Sequence, residues 1–317
     1  MVGGAIMKIV MLDRKTLGYD CDLSELEKLG ELIIYDETDK SDIGGRIKDA
    51  DVIFINKAVI GKKEMDAAPN LKYIGIMATG TNNVDLDYAA GRGITVTNVK
   101  GYSTTIVAQH TFALLFSVME HIQYYDNYVK SGEYSKSRLF THLDRTFMEI
   151  SGKTWGIIGL GAIGKEVAKI ASAFGCRVVY YSASGKNNCA EYEKVDLDTL
   201  LKESDIVSVH APLTDATKNL MDKRAFDKMK NTAFFINVGR GPIVDEQALK
   251  NAIDEGKIAG AGIDVFEVEP LPDNSPLLSI KNKDRIVMTP HTAWASVEAR
   301  NRLVEMMISN LKKYLGE

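Results

Sequence analysis

No excess of positive charge runs through the 317 residues: 39 lysines and arginines stand against 43 aspartates and glutamates, a formal net charge of −4. Nothing in that balance draws in a phosphate backbone or an anionic lipid surface, so nucleic acid is not an expected partner. Long apolar runs are also missing. The richest, such as Phe112–Met119, falls far short of the ~20 residues that cross a bilayer, and no membrane span is expected. Cysteine is scarce. Cys21, Cys176 and Cys189 are an odd number without metal-ligand spacing, which argues against a disulfide framework or a zinc site and for a reducing, cytoplasmic compartment. Repeats of fixed period and low-complexity tracts are absent. Met1–Ile6 lack the basic-then-apolar layout of a secretory signal and read as an extension ahead of the first strand-like run, which Met7 directly precedes.

What is present is an ordinary globular composition, 45% apolar and 26% charged, in a chain long enough for two domains. Short β-branched runs alternate with helix-like segments, the signature of parallel sheets with helical crossovers. One series comprises Lys8–Leu12, Leu32–Tyr35, Val52–Ile55, Tyr73–Met77 and Thr95–Val99. A second comprises Trp155–Ile158, Arg177–Tyr181, Ile206–His210, Ala233–Val238, Ala261–Val265 and Arg285–Thr289. Between them, apolar residues at near-helical spacing predict one long helix over Tyr102–Val129, and Ser296–Leu315 predicts an amphipathic closing helix.

The second series opens on a recognisable loop. Trp155–Ile158 runs into Gly159-Leu-Gly-Ala-Ile-Gly164, and Lys165–Phe174 reads as a helix. In that context Gly159 permits a tight turn, Gly161 lets the backbone approach a pyrophosphate, and Gly164 lets helix and strand pack closely, with the helix N-terminus facing the anion. Dinucleotide binding is therefore expected. An NAD-selective site usually carries an acidic residue at the end of the next strand. Here that strand ends Tyr180-Tyr181-Ser182, and no Asp or Glu occurs from Val167 to Ala190. Ser182 can bond either a ribose hydroxyl or a phosphate. Lys186 is either a point charge for a 2′-phosphate or a solvated loop lysine. The cofactor is NAD(H) or NADP(H), with a slight lean to NAD(H).

Three later strand ends carry the groups of a reaction. Phe234-Phe-Ile-Asn-Val-Gly-Arg-Gly-Pro242 delivers Arg240 between two glycines, Gly262-Ile-Asp-Val-Phe-Glu-Val-Glu-Pro270 delivers Asp264, Glu267 and Glu269, and His291 follows Thr289-Pro290. Delivery of a hydride to a carbonyl places negative charge on its oxygen, so a proton donor and a positive charge must wait there. His291 can supply the proton. Arg240 can supply the charge and a bidentate grip on the substrate carboxylate. Glu269, bonded to the imidazole, would orient it and favour its protonated form near neutral pH. The loop Ala78-Thr79-Gly80 can offer backbone amides to the same carboxylate or is a simple glycine turn.

With these pieces together the chain resembles the D-isomer-specific 2-hydroxyacid dehydrogenases. The matching segments are Gly159–Gly164, Asn237-Val-Gly-Arg-Gly-Pro-Ile-Val-Asp245, Gly262–Pro270 and Thr289-Pro-His-Thr-Ala293. The resemblance implies two Rossmann-like or flavodoxin-like doubly wound α/β domains with a cleft between them. A substrate domain would be assembled from both chain ends, 1–99 and 290–317, and the dinucleotide domain would be 100–289. It implies Arg240, Glu269 and His291 as the catalytic set and Ala78, Thr79 and Gly80 as substrate-binding residues together with Arg240 and His291. The cofactor set becomes Gly159, Gly161, Ala162, Ile163, Gly164, Ser182, Lys186, His210, Pro212, Val238, Gly239 and Asp264, the last near the nicotinamide. A homodimer is implied too, with the helix near Tyr102–Val129 as its candidate interface.

Within the family, the formate dehydrogenases pair the histidine with a glutamine where this chain has Glu269. Met11–Leu17, Met77–Asn83, Gly101–Thr104 and Ser182–Asn188 look most like the glycerate dehydrogenase (hydroxypyruvate reductase) branch. A small 2-keto or 2-hydroxy acid is the expected substrate, with hydroxypyruvate/D-glycerate or glyoxylate/glycolate ahead of lactate or phenyllactate. A dinucleotide-sensing corepressor-like protein is the alternative of another class.

Overall fold

The computed structural model describes residues 6–317, so the expected N-terminal extension lies, apart from Ile6, outside the described residues. The chain forms two compact units. One takes the residues up to Ser103 together with Ala295–Glu317, and the other takes Thr104–Trp294.

The first unit is built on five parallel strands, β1 (Lys8–Met11), β2 (Glu31–Ile34), β3 (Val52–Ile55), β4 (Tyr73–Ile76) and β5 (Thr95–Asn98), in the order β2-β1-β3-β4-β5. This is the flavodoxin-like doubly wound order. The inner strands β3 and β4 are buried along their whole length, which is why they read as unbroken apolar runs rather than alternating ones. The closing helix, Val297–Leu315, starts at Ser296, whose side chain accepts the Ala299 N–H. It lays Leu303, Val304, Met307, Ile308 and Leu311 against this unit, and Tyr314 packs on Tyr73 with ring centroids 5.0 Å apart.

The second unit carries seven parallel strands: β6 (Thr154–Ile158), β7 (Arg177–Tyr181), β8 (Glu193–Lys194), β9 (Ile206–Val209), β10 (Phe234–Asn237), β11 (Gly260–Ile263) and β12 (Ile286–Met288). Their order is β12-β11-β10-β9-β6-β7-β8. The topological switch falls at β6, with β7 on one side and β9 on the other. That is the place where open α/β sheets bind nucleotides. The two-residue edge strand β8 is polar and exposed and has no apolar signature in the sequence.

The helix expected over Tyr102–Val129 is two helices, Thr104–Met119 and Ile122–Lys130. The break falls at His121, whose φ of 52° lies in the left-handed region. The first of the pair is buried through Val107, Ala108, Phe112, Leu114, Leu115, Val118 and Met119. It sits close on β11 because that strand presents Gly260 and Gly262: a Cβ at Gly262 would stand 2.8 Å from that of Leu114. Among the described residues no helix is long and apolar enough to cross a membrane.

Candidate active site

The C-terminal ends of six neighbouring strands of the second sheet line up the sequence-derived residues in spatial order. Ser182 follows β7, the glycine loop follows β6, His210 and Pro212 follow β9, and Val238–Arg240 follow β10. Asp264 and Glu269 follow β11, and His291 follows β12. Ala78, Thr79 and Gly80 follow β4 in the first unit. There the Ala78 carbonyl accepts the Val99 N–H at 3.0 Å and the Thr79 hydroxyl donates to the Val99 carbonyl at 3.0 Å.

On the nucleotide side, Gly159 has φ 95° and passes so close to the β9 loop that a Cβ would lie 2.7 Å from the Ala211 backbone. Gly164 packs against the Gly159 carbonyl, where a side chain would overlap. A Cβ at Gly161 would meet nothing within 4 Å. Gly161 is also the N-cap of the twelve-residue helix Ala162–Ala173 and offers no side chain to its first amides, those of Ala162, Ile163 and Gly164. The helix thus starts several residues earlier than the apolar pattern suggested, directly under the loop. Uncapped amides beside open space are the chemistry a pyrophosphate needs.

The two strands flanking β6 each end in a buried polar atom without a partner among the described residues. They are Ser182 Oγ after β7 and His210 Nδ1 after β9. Burial pushes the His210 imidazolium down to about 3, so the ring is neutral. Its other nitrogen, Nε2, lies 3.0 Å from the Ser208 hydroxyl, which accepts the Trp155 indole N–H at 2.9 Å. The Ser208 oxygen, with two lone pairs and one proton, can serve either tautomer of the ring, which leaves Nδ1 as the unpaired nitrogen. A group with ribose hydroxyls and a pyrophosphate fits these residues. Lys186 lies exposed on the loop after Ser182, and Val238 is buried at the end of β10.

The other half of the edge is bonded within itself. Asn237, buried at the end of β10, accepts the Gly239 N–H through Oδ1 at 3.0 Å and donates to the Arg240 carbonyl at 3.1 Å, folding the loop that presents Arg240. One guanidinium nitrogen donates to the Gly239 carbonyl at 2.8 Å. Gly241 lies flat on the backbone of Phe266, where any Cβ would overlap the carbonyl, so the β10 and β11 loops are in direct contact.

Asp264 is fully buried. Its carboxylate accepts the Thr289 hydroxyl at 2.6 Å and the amides of Thr292 and Ala293 at 2.8 and 2.9 Å, and its carbonyl accepts the His291 N–H at 2.8 Å. These bonds make the carboxylate a latch on the β12 loop. That latch holds His291 at φ 54°, a backbone conformation a side chain adopts only when its surroundings impose it. The imidazole Nδ1 meets Glu269 Oε2 at 2.7 Å, and both side chains are partly exposed, 29% and 28%. The second carboxylate oxygen of Glu269 accepts the Phe266 N–H at 3.1 Å. Nε2 is the ring nitrogen outside that contact.

Sequence reasoning passed over Ser208, Asn237 and Glu246. The first two carry a signal, a polar residue inside an otherwise apolar interior strand. Among the described residues no group of histidine, cysteine and carboxylate side chains is arranged to hold a metal ion.

Comparison with known proteins identifies the family. The pattern described as the D-isomer specific 2-hydroxyacid dehydrogenase NAD binding domain matches residues 112–293. The chain is 39% identical to a hydroxypyruvate reductase of Blautia hydrogenotrophica over 316 residues, covering 98% of this chain and 97% of that protein. It is 37% identical to a glycerate dehydrogenase of Methylorubrum extorquens, covering 98% and 96%. Among solved structures it superposes on an NADPH-dependent glyoxylate/hydroxypyruvate reductase from Sinorhizobium meliloti, in complex with NADP and malonate. That match has a TM-score of 0.82, 28% identity and coverage of 98% and 94%.

Proposed function

The chain belongs to the D-isomer specific 2-hydroxyacid dehydrogenases, nicotinamide-dependent oxidoreductases, and from that premise we propose that it reduces hydroxypyruvate to D-glycerate and glyoxylate to glycolate. The observation that carries the reading is the His291–Glu269 pair at 2.7 Å, set one strand along from Arg240 on a sheet edge that also holds the glycine loop. When bound, a dihydronicotinamide supplies the hydride. Arg240 grips the substrate carboxylate and offsets the charge gathering on the carbonyl oxygen. His291 gives that oxygen its Nε2 proton in reduction and takes it back in oxidation, while Glu269 fixes the ring through Nδ1. Ala78, Thr79 and Gly80 are assigned to the same carboxylate.

The cofactor set is Gly159, Gly161, Ala162, Ile163, Gly164, Ser182, Lys186, His210, Pro212, Val238 and Gly239. Asp264, near the nicotinamide, completes that set and also holds the His291 loop from behind. With Ser182 in place of an acid, neither NADH nor NADPH is repelled, and NADH is the one we favour. We assign a homodimer as well. Its support is the run of exposed apolar side chains Leu139, Phe140, Leu143 and Phe147 that follows the Tyr102–Val129 region, the last of them lining a groove with Phe116, Met119 and Phe174. Three cysteines that all remain free suit a reducing, cytoplasmic setting.

The test is the absorbance of NADH and of NADPH in the presence of hydroxypyruvate, glyoxylate, pyruvate and phenylpyruvate. The reading expects the two short acids to be turned over with the highest kcat/KM. Preference for pyruvate or phenylpyruvate would contradict the substrate, and tight nucleotide binding without turnover of any acid would point to a dinucleotide sensor.

A further inference from the structure

Glu246 opens the helix Glu246–Asp254, directly after the N-cap Asp245, and its side chain is buried. No lysine, arginine or histidine among the described residues pairs with it. Instead Oε1 accepts the Glu267 N–H at 2.8 Å and Oε2 accepts the Ser275 hydroxyl at 3.1 Å. The two bonds fall on either side of one segment. Glu267 and Ser275 bracket the exposed stretch that carries Glu269, whose own carboxylate spans the Phe266 N–H and His291 Nδ1. On its other flank the segment is pressed against Gly241, next to Arg240.

We propose that Glu246 is a positioning residue for the acid–base pair: it pins both ends of the loop bearing Glu269 and so fixes where that carboxylate meets His291. This rests on the reading of Glu269 and His291 given above. A glutamine at 246 can reproduce both bonds, its oxygen accepting from Glu267 and its amide donating to Ser275. Alanine can reproduce neither, and loosens the loop by the amount that matters to a 2.7 Å contact. Misplacement on that scale costs up to about a hundredfold in rate.

The experiment compares Glu246→Ala, Glu246→Gln and Glu269→Gln in the full chain, by the pH profile of kcat/KM for keto-acid reduction and by NADH binding through fluorescence. Glu246→Ala is expected to lower kcat/KM about tenfold to a hundredfold. Its basic limb should move to lower pH, the direction in which a poorly held carboxylate supports the imidazolium less. NADH affinity should stay within about twofold of the parent, since transition-state and cofactor contacts separate in such a comparison. Glu246→Gln is expected to restore most of the rate and the limb. The proposal is overturned if Glu246→Ala keeps the parent rate and profile while Glu269→Gln changes both, or if glutamine is as damaging as alanine. If Glu269→Gln itself changes nothing, the underlying reading has failed. Should Glu246→Ala not fold, Ser275→Ala carries the test: it releases one pin and is expected to shift the limb the same way by less, and an unmoved limb overturns the proposal.

Discussion

The two halves of the second sheet's C-terminal edge are completed to different degrees. Past β10, β11 and β12, the side chains of Asn237, Asp264 and Glu269 bond to backbone amides, to Thr289 and to His291, all within the chain. Past β7 and β9, Ser182 Oγ and His210 Nδ1 are buried without a partner among the described residues, and the helix at Gly161 starts uncapped. An unpaired buried polar group costs about 1–3 kcal/mol. On the proposed function, the contrast teaches that the chemistry half is preorganised by bonds within the chain, whereas the nucleotide half keeps its polar atoms for a cofactor.

Changes on the two sides should therefore differ in kind. After His291→Ala, the largest effect is expected from Arg240→Lys, which keeps a charge but loses the fork: kcat/KM for the keto acid should fall about 10²–10³-fold with NADH binding intact. Saturation kinetics like the parent's would remove the arginine from the carboxylate. Asp264→Ala should strand the amides of Thr292 and Ala293 and lower unfolding stability by about 3 kcal/mol even without ligand, as read by urea titration. An unchanged midpoint would break the claim that this half is held together internally.

His210 gives a pH signature to the other half. Its folded value is about 3 against an ordinary 6.5, so between those two values the unfolded chain binds a proton the folded chain refuses. Stability should fall as pH drops through that window, by up to ~1.4 kcal/mol per unit from this residue, with no contribution above it. His210→Asn should flatten that slope, and equal slopes in both proteins would contradict a buried, neutral ring. The smallest effect belongs to Ser182→Ala. With no partner to lose and an unpaired buried hydroxyl removed, the free protein should be at least as stable as the parent, while cofactor affinity drops about fivefold, the loss of one hydrogen bond. A large loss of stability in the free protein would erase the distinction between the halves.

Much of this was legible in the sequence because interior parallel strands are continuous apolar runs, and the residues just past them stand out by contrast. Arg240, Glu269, His291 and the glycine loop were placed that way. The edge strand β8 was not, since Glu193–Lys194 is polar and two residues long. Nor was the break at His121, where apolar residues continue at helical spacing across a left-handed residue that is not glycine. The latch made by Asp264 was hidden for another reason. Its partners are backbone amides 28 and 29 residues further on, and backbone amides have no identity in a sequence. The bonds of Glu246 to Glu267 and Ser275 are equally a product of the fold.

The central claim is that one edge divides its labour, with His291 performing the proton transfer and the glycine-loop side holding the nucleotide. His291→Ala tests it in one preparation, by turnover of hydroxypyruvate and by NADH affinity. The account predicts turnover reduced roughly 10²–10⁴-fold with affinity almost unchanged. An undiminished rate, or a loss of affinity that parallels the loss of rate, would contradict it.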